Sequence, residues 1–161
     1  MITLSYLNKN EKEKMLPQLF DLLYDNMREI APNELSYEQE KAQWLGSVSP
    51  ALDKPARQIV ICFIDDELVG YIQYYINDQL LMIEELQLKQ KYHCTLTFYR
   101  FCKHFIVTLS AGIESVEAFA DKRNINSQML MKKLGMEFID SSSDFVHLRG
   151  NANEIINRFT K

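Results

Sequence analysis

The chain has 161 residues, 47% hydrophobic and 25% charged, with a formal net charge of −4. That length suits one domain with a sizeable core and is short for two, and the acidic balance excludes general nucleic-acid affinity while leaving a cationic amine unrepelled. No apolar run approaches the ~20 residues that cross a bilayer, and no basic segment precedes an apolar one at the N-terminus, so a cytoplasmic protein without membrane attachment is expected. Cys62, Cys94 and Cys102 follow no zinc or redox spacing; they read as reduced thiols, and no metal site is expected.

From Met1 to Leu7, Ile2, Leu4 and Tyr6 alternate with Thr3 and Ser5, which predicts a first strand with one buried face. Asn8 to Asn10 break the pattern. Glu11 to Ile30 then sets Met15, Leu16, Leu19, Phe20, Leu22, Leu23 and Met27 at helical spacing, a first helix of about five turns in which Pro17 is tolerable only near the first turn. Ala31-Pro32-Asn33 ends it, and Ser36 suits the cap of a second helix from Tyr37 to about Leu45. Gly46, Pro50 and Pro55 make Ser47 to Ala56 a loop. Gln58 to Ile64 and Leu68 to Ile76 are strands joined as a hairpin through Asp65-Asp66-Glu67, and after a turn at Asn77-Asp78 the stretch Leu80 to Leu88 returns as a fourth strand.

Lys89 to Cys94 is a polar loop leading into a helix from Thr95 to Leu109, whose Leu96, Phe98, Tyr99, Phe101, Cys102, Phe105, Ile106 and Leu109 cover more than half its circumference. Such a helix packs on a sheet. Gly112 follows its end, and Ser115 to Ala120 is a fifth strand reached by a helical crossover, hence parallel to the fourth. Asn124-Ile125-Asn126-Ser127 starts a further helix with Ile125, Met129, Leu130 and Leu134 as its buried stripe, Lys132 and Lys133 at its negative end and Gly135 as a left-handed stop. Glu137 to Asp140 and Phe145 to Arg149 form a last hairpin, and Asn151 to Phe159 a short C-terminal helix.

The run from Leu80 to Leu109 is the stretch where a site is expected, because a loop between a strand end and a helix start gathers free N–H groups that suit an anion such as a pyrophosphate. Glu85-Leu86-Gln87-Leu88-Lys89-Gln90-Lys91-Tyr92, with Asn124 to Met136 further on, resembles the acyl-CoA-binding motifs of the GNAT acetyltransferase family, which typically read Glu-Leu-x-Val-x-Pro-x-x-Arg-Gly-x-Gly-x-Gly in the first. The resemblance covers most of the chain. It implies one α+β domain over residues 1–161, with a mixed, mostly antiparallel sheet of about seven strands, helices on both faces, and a splay between the fourth and fifth strands that admits a pantetheine arm. Where the family has Gln/Arg-x-x-Gly-x-Gly/Ala, this chain has His93-Cys94-Thr95-Leu96-Thr97-Phe98, so Leu96 and Phe98 stand where glycines let a backbone approach its ligand.

The resemblance further implies acetyl-CoA as acyl donor, with its pyrophosphate at His93, Cys94, Thr95, Leu96, Thr97 and Phe98, its pantetheine along the backbone of Leu86 and Leu88, and a contact from Asn124, which helix capping explains equally well. The acceptor would be a small amine or a peptide amino terminus. For the base, strand alternation puts Glu84 and Glu85 on opposite faces, so only one meets an acceptor; Glu85 is preferred on the motif frame, with Glu84 as the alternative and ordinary hydrogen bonding of both as the plainer reading. For the acid, Met131 stands where the family commonly has a tyrosine, and a thioether cannot donate a proton. Tyr24, Tyr37 and Trp44 read as pocket wall or, more commonly for such residues, as core. His104 and His147 show no recognisable partners in the sequence and read as structural or surface. Cys94 beside His93 allows a nucleophilic thiol as a third reading. The alternative of another class is a GNAT-fold binding or interaction module without catalysis, and self-association as a homodimer is left open.

Overall fold

Ile, Val and Tyr concentrate between Arg57 and Leu88, and there the chain builds the centre of a sheet. The computed structural model describes residues 1–108 and 112–160. Its strands are β1 (Ile2–Tyr6), β2 (Arg57–Ile64), β3 (Glu67–Asn77), β4 (Leu80–Leu88), β5 (Ser115–Asp121), β6 (Glu137–Ser141) and β7 (Phe145–Asn151), in the spatial order β1-β2-β3-β4-β5-β7-β6. β4 and β5 run parallel and the other neighbours antiparallel. The crossover between the parallel pair contains α3 (Leu96–Thr108), as a parallel connection requires. The predicted end of that helix at Leu109 lies outside the described residues.

Helices cover both faces, giving an α+β architecture. α1 (Lys12–Met27) and α2 (Tyr37–Ala51) bury Leu16, Leu19, Leu22 and Val48 against Ile59, Ile61 and Tyr71. On the opposite face α3 and α5 (Ala152–Thr160) bury Phe101, Phe105, Ile155 and Phe159 against Val60, Ile72, Leu81 and Leu88. The turn between β2 and β3 holds Asp65 and Asp66 at φ of 48° and 67°, the left-handed conformations of a tight hairpin that Asp tolerates. Among the described residues no helix is long and apolar enough to cross a membrane.

Three expectations change. The stretch expected as a loop from Ser47 is helical to Ala51: Trp44, Leu45, Val48 and Leu52 join one apolar cluster, and that burial outweighs the ~1 kcal/mol that Gly46 costs a helix. Pro50 falls in the last turn, and the chain leaves the helix through Leu52 N–H to Val48 O and Asp53 N–H to Pro50 O, both 3.1 Å. The first helix begins after a separate 3-10 turn at Lys9–Glu11 and carries Pro17 in its second turn. In α4 (Ile125–Lys133), Ile125 and Met129 of the expected stripe are exposed, while Leu134 just past its end packs on the core as expected and Met131 joins it there. The closing geometry sets this: Gly135 adopts φ 95° and Met136 N–H reaches back to Met131 O at 3.0 Å, which draws Met131 in beside the buried Met136.

Candidate functional site

The two halves of β4 have different neighbours. Leu80 to Ile83 pair with Ser115 to Ala118 of β5, and there the parallel register ends. Phe119 to Asp121 continue along β7 only, while Leu86 to Leu88 continue along β3 only. A wedge therefore opens between the C-terminal ends of the parallel strands, with an unpaired backbone edge of β4 on one side.

At the start of this wedge the register with β3 jumps from Tyr74↔Ile83 to Gln73↔Glu85, so Glu84 is an inserted bulge residue. The expectation that Glu84 and Glu85 point to opposite faces is thereby corrected. A bulge interrupts the alternation, and both carboxylates lie on the face covered by α1, where Gln73 lies directly across from Glu85 and hydrogen-bonds Glu84.

Their chemistry differs. Glu84 accepts from Arg57 Nε at 2.8 and 2.9 Å, from the second guanidinium nitrogen of Arg57, and from Gln73 Nε2 at 2.7 Å. Arg57 lies over the Tyr75 ring, 5.0 Å from its centre. Glu85 is half-buried and has no cationic partner among the described residues; it accepts from Gln87 Nε2 at 2.6 Å. Burial pushes its carboxyl up to about 7, against the lowering hydrogen bond from Gln87 and with a smaller push from the Glu84 charge. Gln87 in turn accepts from Asn26 Nδ2, which also donates to the Leu88 carbonyl, both at 2.9 Å. The fully buried Tyr71 hydroxyl on the same face has no partner among the described residues. Asn26, Arg57, Gln73 and Gln87 escaped the sequence reading, although polar residues at inward positions of otherwise apolar elements were a usable signal.

After β4 the loop turns at Gln90–Tyr92, and Cys94 takes φ 56°, a left-handed conformation that favours glycine. His93 Nε2 donates to Leu88 O at 2.6 Å. Thr95 Oγ1 donates to Tyr92 O at 2.6 Å and accepts from Thr97 N–H at 3.2 Å, opening α3. The N–H groups of Leu96 and Phe98 lie in the first turn, where a helix offers no internal acceptor. Leu96 is 70% exposed, and Phe98 is half-buried against the core. Asn124 caps α4 by accepting from Ser127 N–H at 3.1 Å, and its Nδ2 lies 3.9 Å from Met27 Sδ at the end of α1. Arg123 reaches Pro32 O at 3.3 Å, so the segment after α1 closes over the start of α4.

The other candidates fall elsewhere. Phe20, Tyr24, Tyr37 and Trp44 form one aromatic cluster between α1 and α2, with centroids 5.0 to 5.9 Å apart. Cys94 is exposed, and the His93 ring is engaged by a carbonyl; burial pushes Cys62 up to about 11 and Cys102 up to about 12. Met131 offers no proton. His104 is exposed, as expected. His147, expected without partners, has one in Asp140, 3.1 Å from Nδ1, and its Nε2 lies 3.2 Å from the buried Glu117 without hydrogen-bond geometry, while Arg149 Nε reaches Glu117 at 2.6 Å. Strand pairing made this cluster, since Glu117↔Arg149 and Phe119↔His147 are cross-strand neighbours.

No protein-family model and no curated protein matches the sequence. Solved structures do match. The chain is similar to an acetyltransferase from Thermus thermophilus, with a TM-score of 0.74 at 13% identity over 94% of this chain and 97% of that one. It is similar to the PaiA N-acetyltransferase of Thermoplasma acidophilum in complex with coenzyme A (TM-score 0.68, 15% identity, 94% and 99% covered). A GNAT-family acetyltransferase from Staphylococcus aureus gives a TM-score of 0.68 at 12% identity, with 94% and 99% covered. The chain has the GNAT acetyltransferase fold across nearly its whole length.

Proposed function

We propose that this chain is an acetyl-CoA-dependent N-acetyltransferase that acylates a small amine or a peptide amino terminus. The observation that carries the reading is Glu85: a half-buried carboxylate without a cationic partner among the described residues, its pKa about 7, on the strand whose unpaired edge lines the wedge. A base with that pKa takes a proton near neutral pH and gives it up again. Glu84, held by Arg57 and Gln73, supports Glu85 rather than competing with it.

The residues present fit the donor. First-turn N–H groups of α3 would meet the pyrophosphate, with the Leu96 side chain exposed beside them rather than packed in the core. The backbone of Leu86 and Leu88 would meet the pantetheine. The acceptor nitrogen attacks the thioester carbon, the C–S bond breaks as the amide forms, and Glu85 receives the amine's proton, directly or through water. The departing thiolate takes its proton from water, because Met131 has none to give. Free Cys62, Cys94 and Cys102 suit a cytoplasmic setting.

The test is to mix the protein, acetyl-CoA and a panel of primary amines and follow released thiol. Amine-dependent release that is lost in Glu85→Gln supports the proposal; none with any amine contradicts it. A second reading, a GNAT-fold binding module without catalysis, is favoured by Leu96 and Phe98 at the glycine positions and by Met131, and it predicts no release.

A further inference from the structure

One amide on α1 joins two parts of the site. Asn26 is 5% exposed, and its Nδ2 donates to the Leu88 carbonyl and to Gln87 Oε1, each at 2.9 Å. Those acceptors take both of its N–H bonds and fix its orientation. Gln87, also buried, therefore presents its own Nε2 to Glu85 at 2.6 Å. A flipped Gln87 would set donor against donor at Asn26 and oxygen against oxygen at Glu85. The Leu88 carbonyl accepts a second bond, from His93 Nε2 at 2.6 Å, in the loop that leads into α3.

We propose that Asn26 and Gln87 are positioning residues that aim the Glu85 carboxylate and tie it, through the shared Leu88 carbonyl, to His93 of the loop. The inference rests on Glu85 being the base of the proposed reaction. Both amides are buried and joined to each other, Asn26 Nδ2 to Gln87 Oε1 and Gln87 Nε2 to Glu85, and a buried network of this kind has few alternative arrangements. Two donors share one carbonyl, so a change at His93 alters the bond that Asn26 makes there. Asn26 passes the change to Gln87, and Gln87 to Glu85. A donor seated at the loop would act on the base by this route, through α1.

The test reads Glu85 itself in the ligand-free protein, by NMR titration of its side-chain carboxyl. The groups facing it are Glu84 on its own strand, Tyr71 and Gln73 on β3, Asn26 on α1, and Arg57 of β2 behind Glu84. Asn26→Leu and Gln87→Met leave all their charges in place. Gln87→Met is expected to move the midpoint up from about 7, because a donor to the charged form is gone. Asn26→Leu moves it up as well, although Asn26 makes no hydrogen bond to Glu85. His93→Ala shifts the midpoint in the wild-type background and has no effect in Asn26→Leu, a coupling that a purely structural role would not produce. An unmoved midpoint in Asn26→Leu, or equal His93→Ala shifts in both backgrounds, overturns the proposal. Should a variant fail to fold, the wild type decides: the side-chain amide protons of Gln87 and Asn26 follow the Glu85 titration if the relay exists and stay fixed if it does not. None of these readings needs acetyl-CoA or an acceptor, so a silent transferase assay and a broken relay are distinguishable.

Discussion

β4 carries two kinds of surface on one strand. Toward α3 it presents Leu81, Leu86 and Leu88, in one cluster with Phe101 and Phe105. Toward α1 its C-terminal half presents Glu84, Glu85 and Gln87, bonded to Arg57, Gln73 and Asn26. The apolar face supplies the burial that keeps the sheet folded, and this allows the other face to hold a carboxylate whose charge is disfavoured there. The bulge at Glu84 is the device that lets two adjacent glutamates share the polar face.

The contrast predicts separable effects. On the apolar side, Phe105→Ala removes a buried ring 5.0 Å from the Tyr74 ring and should lower stability by about 3–5 kcal/mol in denaturant unfolding. The folded fraction should keep the Glu85 titration unchanged. On the polar side, Glu85→Gln should slow acetyl transfer by about 10²–10⁴-fold while leaving CoA affinity as it was. A variant that lost affinity and rate together would mean that Glu85 holds the donor in place.

Gly70 is where the faces are least separable. A Cβ there would lie 2.7 Å from the Gln87 carbonyl and 2.8 Å from a Leu88 methyl, so Gly70→Ala should destabilise by about 1–3 kcal/mol and also disturb the site end of β4. Unchanged stability would show that β4 can shift freely.

The smallest effect is a pH slope. Because the folded protein holds the Glu85 proton up to about 7 against an ordinary value of 4.5, its contribution is fully present below pH 4.5 and is lost as pH rises towards 7. The loss is on the order of 1–3 kcal/mol, limited by the solvent contact that Glu85 retains. Thermal unfolding of the wild type across that window, set beside Glu85→Gln, should show a slope only in the wild type.

Much of this was legible in residue order. Alternation marked the strands, the crossover from Leu88 to Ser115 required a parallel pair, and the motif frame pointed to the pair Glu84 and Glu85, with Glu85 preferred. Alternation failed at Glu84, because a bulge depends on the partner strand and leaves no local mark. The α2 extension was hidden by Gly46 and Pro50, whose local preferences yield to packing of Val48 and Leu52. Asn26 lies 61 residues from Gln87, so their bond exists only in the folded chain, and the partner of His147 was hidden in the same way.

Titration calorimetry with acetyl-CoA and free CoA tests the central claim most directly. The account predicts micromolar binding, with Leu96 and Phe98 leaving the first turn of α3 open, and at 100 times the dissociation constant a gain of about 2.7 kcal/mol in stability. Absence of binding at millimolar CoA would contradict it and leave the fold without the reaction.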